Sequence, residues 1–277
     1  MSTVRSTDGT AVAFERSGEG PPIILVDGAL CYRESGGSRK LAALLAPHFT
    51  VYAYDRRGRG ESGDTAPYAV DREVEDLQAL IEEAGGSAYL YGISSGVVLA
   101  LEAANRGAGV EKLVAYEPPF IVDDSRPPVP SDYAPKLEEL VAADRRGDAV
   151  RLFLRQVGVP GIAIALMRFM PAWSKLRGIA HTLPYDFTIL DGTQAGEPLP
   201  PERWSAVTAP TLVLVGGKNP PWWHHGTQAL ADMLPNARHR VLEGQTHMVK
   251  PKALAPVVEE FLTSDDGALA SPIADTY

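Results

Sequence analysis

The chain has 277 residues, 45% hydrophobic and 22% charged, with a formal net charge of −9. That balance is the one a large buried core requires, and the acidic surplus excludes nucleic acid as an expected partner, because a polyanion needs a basic face. Six histidines without metal-ligand spacing give no reason to expect a metal or other cofactor.

In chain order, residues 2–6 and 11–16 flank Asp8-Gly9, a tight-turn dipeptide, and predict an antiparallel hairpin. PPIILVDG (21–28) reads as a buried strand, followed by a helical stretch near 37–46 and a fourth strand, TVYAYD (50–55). In REVEDLQALIEEAG (72–85), Val74, Leu77, Leu80 and Ile81 fall on one helical face, with Gly85 and Gly86 as the stop. SAYLYGI (87–93) is a strand running directly into a helix at 94–107, and EKLVAYE (111–117) is the sixth strand. From 121 to 205 the alternation breaks down into Pro127, Pro128 and Pro130, two amphipathic pieces at 134–146 and 147–157, and the apolar segment 161–173. APTLVLVGG (209–217), a helix near 224–234, the strand 238–244 and a helix near 252–263 restore the pattern.

These runs predict an α/β fold with a mostly parallel eight-stranded sheet and helices on both faces. Its core domain spans 1–120 and 206–264, the helical lid insertion 121–205, and an aperiodic tail 265–277. Cys31 is the single cysteine and cannot close an internal disulfide; the start MSTVRSTDG is polar; no apolar run reaches the roughly 18 residues of a membrane span. A cytoplasmic protein with no membrane partner is expected.

Gly92-Ile93-Ser94-Ser95-Gly96 matches G-x-S-x-G at a strand-to-helix junction. The turn strains the serine backbone, glycines on either side let strand and helix approach, and the helix N-terminus favours developing negative charge. Taken alone, the pattern also fits a Gly/Ser-rich turn with no chemistry. Ser95 lacks the paired flanking glycines, so Ser94 is the candidate nucleophile. With VDGAL after the third strand, YDRRGRGESG (54–63), YGISSG (91–96), TLVLVGG (211–217) and GQTHMV (244–249), the chain resembles the α/β-hydrolase superfamily of serine-nucleophile esterase and lactonase type, from Thr10 to about Leu262.

The resemblance implies that His247, after the last strand, is the general base, since neutral imidazole can take and return the serine proton. His48 and His239 read as structural or solvent-facing, His224 and His225 as candidates for the pocket, and His181 is open. Many relatives carry the triad acid after the seventh strand, where this chain has Gly216-Gly217-Lys218-Asn219-Pro220 and no carboxylate. Glu117, at the end of the sixth strand, is one strand away on the same rim, and zearalenone lactonase-like hydrolases place a glutamate there. That group also has Asp-Gly after the third strand, here Asp27-Gly28, and a second serine, here Ser95. Asp55 reads as part of a structural turn, and Asp123 and Asp124 lie too far along.

The oxyanion hole is expected from the N–H of Ser95 and of Gly28 or Ala29. Leu166, Met167, Phe169, Met170 and Trp173 from the lid are candidate pocket walls, although an apolar helix face is more often core, and Trp222 and Trp223 join them from the rim. The substrate expected is a hydrophobic small-molecule ester or lactone, with Arg33 and Lys218 near enough to keep a charged one open and homodimer formation undecided. The leading function is ester or lactone hydrolysis through an acyl-enzyme on Ser94. Carbon–carbon bond hydrolysis, perhydrolysis, a non-hydrolytic lyase or a ligand-binding protein on the same scaffold are the alternatives, and serine argues against chemistry needing an aspartate nucleophile.

Overall fold

The computed structural model describes residues 1–264; the predicted tail 265–277 lies outside the described residues. Eight strands form one sheet: β1 (Ser2–Arg5), β2 (Ala11–Ser17), β3 (Pro22–Val26), β4 (Thr50–Tyr54), β5 (Ala88–Ile93), β6 (Val110–Tyr116), β7 (Thr211–Gly216) and β8 (Ala237–Leu242). Their spatial order is β1-β2-β4-β3-β5-β6-β7-β8. β1 and β2 pair antiparallel, β2 meets β4 antiparallel, and every remaining pair is parallel. The sheet is thus the mostly parallel one that the alternating runs predict.

Alternation along β3 shows why these runs must be buried on both faces. Ile24 and Val26 face a cluster with Val74, Leu77 and Leu80 of α2 (Val70–Glu83) and with Val97 to Leu101 of α3 (Ser95–Asn105). Ile23 and Leu25 face the opposite cluster, built on Leu41 and Leu45 of α1 (Ser38–Leu45) and on Leu254, Val258 and Phe261 of α10 (Pro251–Thr263). Between β7 and β8, α9 (Pro221–Met233) places Leu230 on the α3 side.

The stretch between β6 and β7 carries α4 (Tyr133–Ala142), α5 (Arg146–Gln156), α6 (Gly161–Met167), α7 (Pro171–Ile179), a short turn of 3₁₀ helix and α8 (Leu183–Ile189). The apolar segment 161–173 is therefore not one helix; Pro171 opens a new one. These helices share a cluster of their own, with Leu137, Val150, Ile164, Trp173 and Leu183 at its centre and Leu30 reaching in from the sheet domain.

Charge also ties this insertion to the sheet. Arg56 donates to both oxygens of Glu73 and to Asp186 at 2.7 Å; Arg59 donates to the other Asp186 oxygen at 2.6 Å and to the carbonyl of Gly28 at 2.6 Å. All four charged side chains are buried. Burial raises the Asp186 carboxyl pKa, yet the guanidinium groups of Arg59 and Arg56 outweigh it and hold the pKa below its ordinary value. Asp55 has the structural role its turn implies, accepting the main-chain N–H of Arg33 and of Glu61.

Candidate active site

Ser94 sits between β5 and α3 with φ 57° and ψ −129°, a conformation that costs a non-glycine residue on the order of 1–3 kcal/mol. The flanking glycines make the turn possible by close approach. A Cβ at Gly92 would lie 2.7 Å from Val97 Cα, and one at Gly96 only 2.2 Å from the carbonyl oxygen of Val26. Gly28 is pressed against the serine itself, 2.9 Å separating its hypothetical Cβ from Ser94 Cβ.

Glu117 follows β6 directly and is fully buried, also at positive φ (49°). One carboxylate oxygen meets His247 Nδ1 at 2.8 Å. The other accepts the Gly216 N–H at 2.6 Å and the Asn219 side-chain amide at 2.5 Å. A carboxylate engaged by three groups is fixed in one orientation. Nδ1 is thereby committed, and Nε2 is the ring nitrogen left free.

Asn219 thus has a function that its sequence context showed only as an absence. It follows β7, and its amide orients the Glu117 carboxylate at the end of the neighbouring strand. The parallel register Tyr116↔Leu214 brings the ends of β6 and β7 side by side.

Ser94 and His247 line one cavity of about 540 Å³, a size suited to a small organic ligand. Ala29, Ser95, Thr246 and Asn219 complete the reacting end, and Phe153, Val157, Phe187, Leu190, Trp222 and Trp223 form an apolar wall. Trp223 stacks on the His247 ring at 4.6 Å between centroids and 21° between planes, covering one face of the imidazole.

Of the two third-strand candidates for an oxyanion donor, Ala29 borders the cavity, while Gly28 lies behind Ser94 with its carbonyl turned to Arg59. The Ser95 main-chain N–H opens α3, where the first turn has no helical acceptor. Its side chain does something unforeseen, donating to Asp186 at 2.7 Å and so linking the turn at Ser94 to the insertion.

The lid expectations are corrected at five positions. Met167, Met170 and Trp173 do not border the cavity. Trp173 is 8% exposed inside the insertion's own cluster, Met167 packs beside it, and Met170 is exposed; the segment folds back on its neighbours instead of over Ser94. Nor do Leu166 and Phe169 reach the cavity, both being exposed. His224 and His225 also lie off its wall, with His225 paired to Asp123 on the surface. Arg33 is occupied by Asp55 and Glu61, and Lys218 is exposed. The cation that does border the cavity, Arg126, carried no motif in the sequence.

No helix among the described residues is long and apolar enough to cross a membrane. In solved structures, the chain is 53% identical to an alpha/beta hydrolase from Sphaerobacter thermophilus DSM 20745, over 95% of this chain and 100% of that one, with a TM-score of 0.87. More distant folds of the same kind include a thermophilic esterase from Thermogutta terrifontis (22% identity, 94% and 97% covered, TM-score 0.65) and an esterase from Exiguobacterium antarcticum (18%, 95% and 99%, TM-score 0.70). The model of the alpha/beta hydrolase family matches residues 23–257, and the chain belongs to that family.

Proposed function

We propose that this protein is a serine hydrolase that cleaves a carboxylic ester or lactone of a small molecule through an acyl-enzyme on Ser94. The observation that carries the reading is the 2.8 Å contact between His247 Nδ1 and the buried Glu117 carboxylate, made at the wall of the cavity that Ser94 also lines. Ser94 Oγ attacks the carbonyl carbon while His247 Nε2 takes its proton. The oxyanion is met by the main-chain N–H groups of Ala29 and Ser95. As the intermediate collapses, His247 returns the proton to the departing alcohol. Water then repeats the sequence on the acyl-enzyme, freeing the acid and restoring Ser94.

Glu117 keeps its charge throughout, stabilising the imidazolium that forms twice per turnover. The strained serine backbone and the packed glycines hold Oγ at a fixed position, so the approach costs little reorganisation. An alkyl or aryl fluorophosphonate tests the reading, with the modified peptide identified by mass spectrometry. Labelling of Ser94, abolished in Ser94→Ala and together with ester turnover, is the expected result. A folded protein that neither reacts nor hydrolyses any of a panel of esters and lactones would refute it.

A further inference from the structure

Arg126 lies between β6 and α4 on the wall of the cavity that holds Ser94 and His247. Its guanidinium stacks on Trp222 at 4.2 Å from the ring centroid, and one of its nitrogens donates to the carbonyl of Gln156 at 2.6 Å. Among the described residues no carboxylate pairs with it. Burial alone pulls its pKa below the ordinary arginine value, as expected of a cation desolvated without a counter-ion.

Several other polar groups on this wall are already engaged. Asp186 is held by Arg56, Arg59 and Ser95. Ser125 donates to Asp123, Asn219 to Glu117 and Gln194 to the Pro119 carbonyl. Arg126 therefore brings unspent N–H donors and an uncompensated positive charge to the cavity. Its place relative to the reacting end is set by a row of stacked rings, Trp222 on Trp223 at 4.0 Å and Trp223 on His247 at 4.6 Å.

We infer that Arg126 is an anion subsite and that the substrate carries a carboxylate at the end remote from the bond that is cleaved. The shape of the group selects a carboxylate. With one face on Trp222 and one nitrogen on Gln156, the guanidinium offers a single planar edge, which matches the two oxygens of a carboxylate. One cation also balances one negative charge, where a phosphate dianion calls for more. The apolar side chains that share the cavity with Arg126 and Ser94 then enclose the hydrocarbon linker, so the ligand class is the monoester, or the lactone, of a small dicarboxylic or carboxylated acid.

This inference rests on the serine-hydrolase reading for its activity arm but not for its binding arm. Monomethyl and dimethyl esters of the straight-chain diacids from succinate to adipate, followed in a pH-stat, compare anionic and neutral substrates of one chemistry. The native enzyme is expected to prefer the monoester at one chain length. Arg126→Gln should shrink the monoester-to-diester ratio of kcat/KM by at least about tenfold, mainly through KM, and Arg126→Lys should recover part of it. In the binding arm, monomethyl glutarate is titrated into Ser94→Ala with tryptophan fluorescence as readout. Saturable quenching that Ser94→Ala/Arg126→Gln loses supports the subsite. A preference for diesters at every length, or a ratio unchanged in Arg126→Gln, overturns it. Absence of any turnover by the native enzyme with the quenching intact would instead refute the hydrolase reading and leave the subsite standing.

Discussion

Glu117→Gln isolates the charge of the proposed triad acid while keeping its size. In the native site one oxygen takes His247 Nδ1 at 2.8 Å and the other takes two donors, from Gly216 and Asn219. A glutamine has one oxygen and one NH₂ to meet three donors. If the oxygen serves Nδ1, the NH₂ confronts the Gly216 N–H and the Asn219 amide; if it serves those two, the NH₂ faces Nδ1 and forces the wrong tautomer. Either way the imidazolium loses a fully buried counter-charge. In a chymotrypsin-type triad the analogous loss lowers kcat by about four orders of magnitude, on the order of 5 kcal/mol in the barrier. Here kcat for p-nitrophenyl butyrate should fall about a thousandfold or more, with KM little changed, because Glu117 does not border the cavity. Circular dichroism and thermal melting establish that the variant is folded. A folded Glu117→Gln enzyme retaining a tenth or more of native kcat would refute the assignment.

Asn219→Ala should cost far less than Glu117→Gln, about tenfold in kcat, since Gly216 still orients the carboxylate and a hydrogen bond to a charged group is worth roughly 1.5–3 kcal/mol; steady-state kinetics of the two variants side by side decide it, and equal losses would contradict the ranking. Asp186→Asn leaves two buried guanidinium groups undercompensated and should lower the unfolding free energy in urea by about 3–5 kcal/mol, whereas a change under about 1 kcal/mol would show the network to be idle. Because the folded Asp186 pKa lies below its ordinary value, this stabilisation is complete above about pH 4 and is lost only as pH falls through the lowered folded pKa. Gly96→Ala, whose Cβ would fall 2.2 Å from a backbone oxygen, should fail to give soluble folded protein, while Gly37→Ala, with open space around it, should express normally. Burial, with Asp27 adding to it, pushes the Cys31 thiol up to about 12, so its reaction with an aromatic disulfide reagent at pH 8 should run at least about a hundredfold slower than that of a free thiol.

Parts of the molecule governed by local sterics were legible in the sequence. A buried parallel strand must be apolar on both faces, and the PIILV, TVYAY and TLVLVG runs read accordingly. The elbow leaves a local signature because two glycines and a serine are needed at fixed spacing. Features that depend on docking between distant segments were not legible. The apolar letters of 161–173 suggest a cavity wall, but Pro171 breaks the segment into two helices and leaves Ile162 80% and Phe169 89% exposed. Arg126 lies in a proline-rich loop without periodicity, and only the placement of Trp222 from a segment about a hundred residues away gives it a role. Ser95 and Asp186, 91 residues apart, likewise offer no spacing from which their contact could be read.

On the proposed assignment, a triad acid can change strands without changing the chemistry. The requirement is a single carboxylate oxygen at Nδ1 of the imidazole, and in a parallel sheet the ends of neighbouring strands deliver their next residues to the same rim. From β7 an aspartate would have to arrive on the loop that carries Asn219; from β6 Glu117 arrives on the residue directly after the strand, with one methylene more to span the gap. The cost appears in the backbone, where Glu117 takes a positive φ just as Ser94 does. The compensation comes from the vacated position, because Asn219 and the Gly216 N–H direct their donors at the oxygen that His247 does not use. An acid at β6 therefore needs a donor, not a second acid, at β7: two carboxylates at hydrogen-bond distance could not both stay ionised, and the one that took a proton would cease to stabilise the imidazolium. The asparagine after β7 is the complement of the glutamate after β6, and the two positions make sense only as a pair.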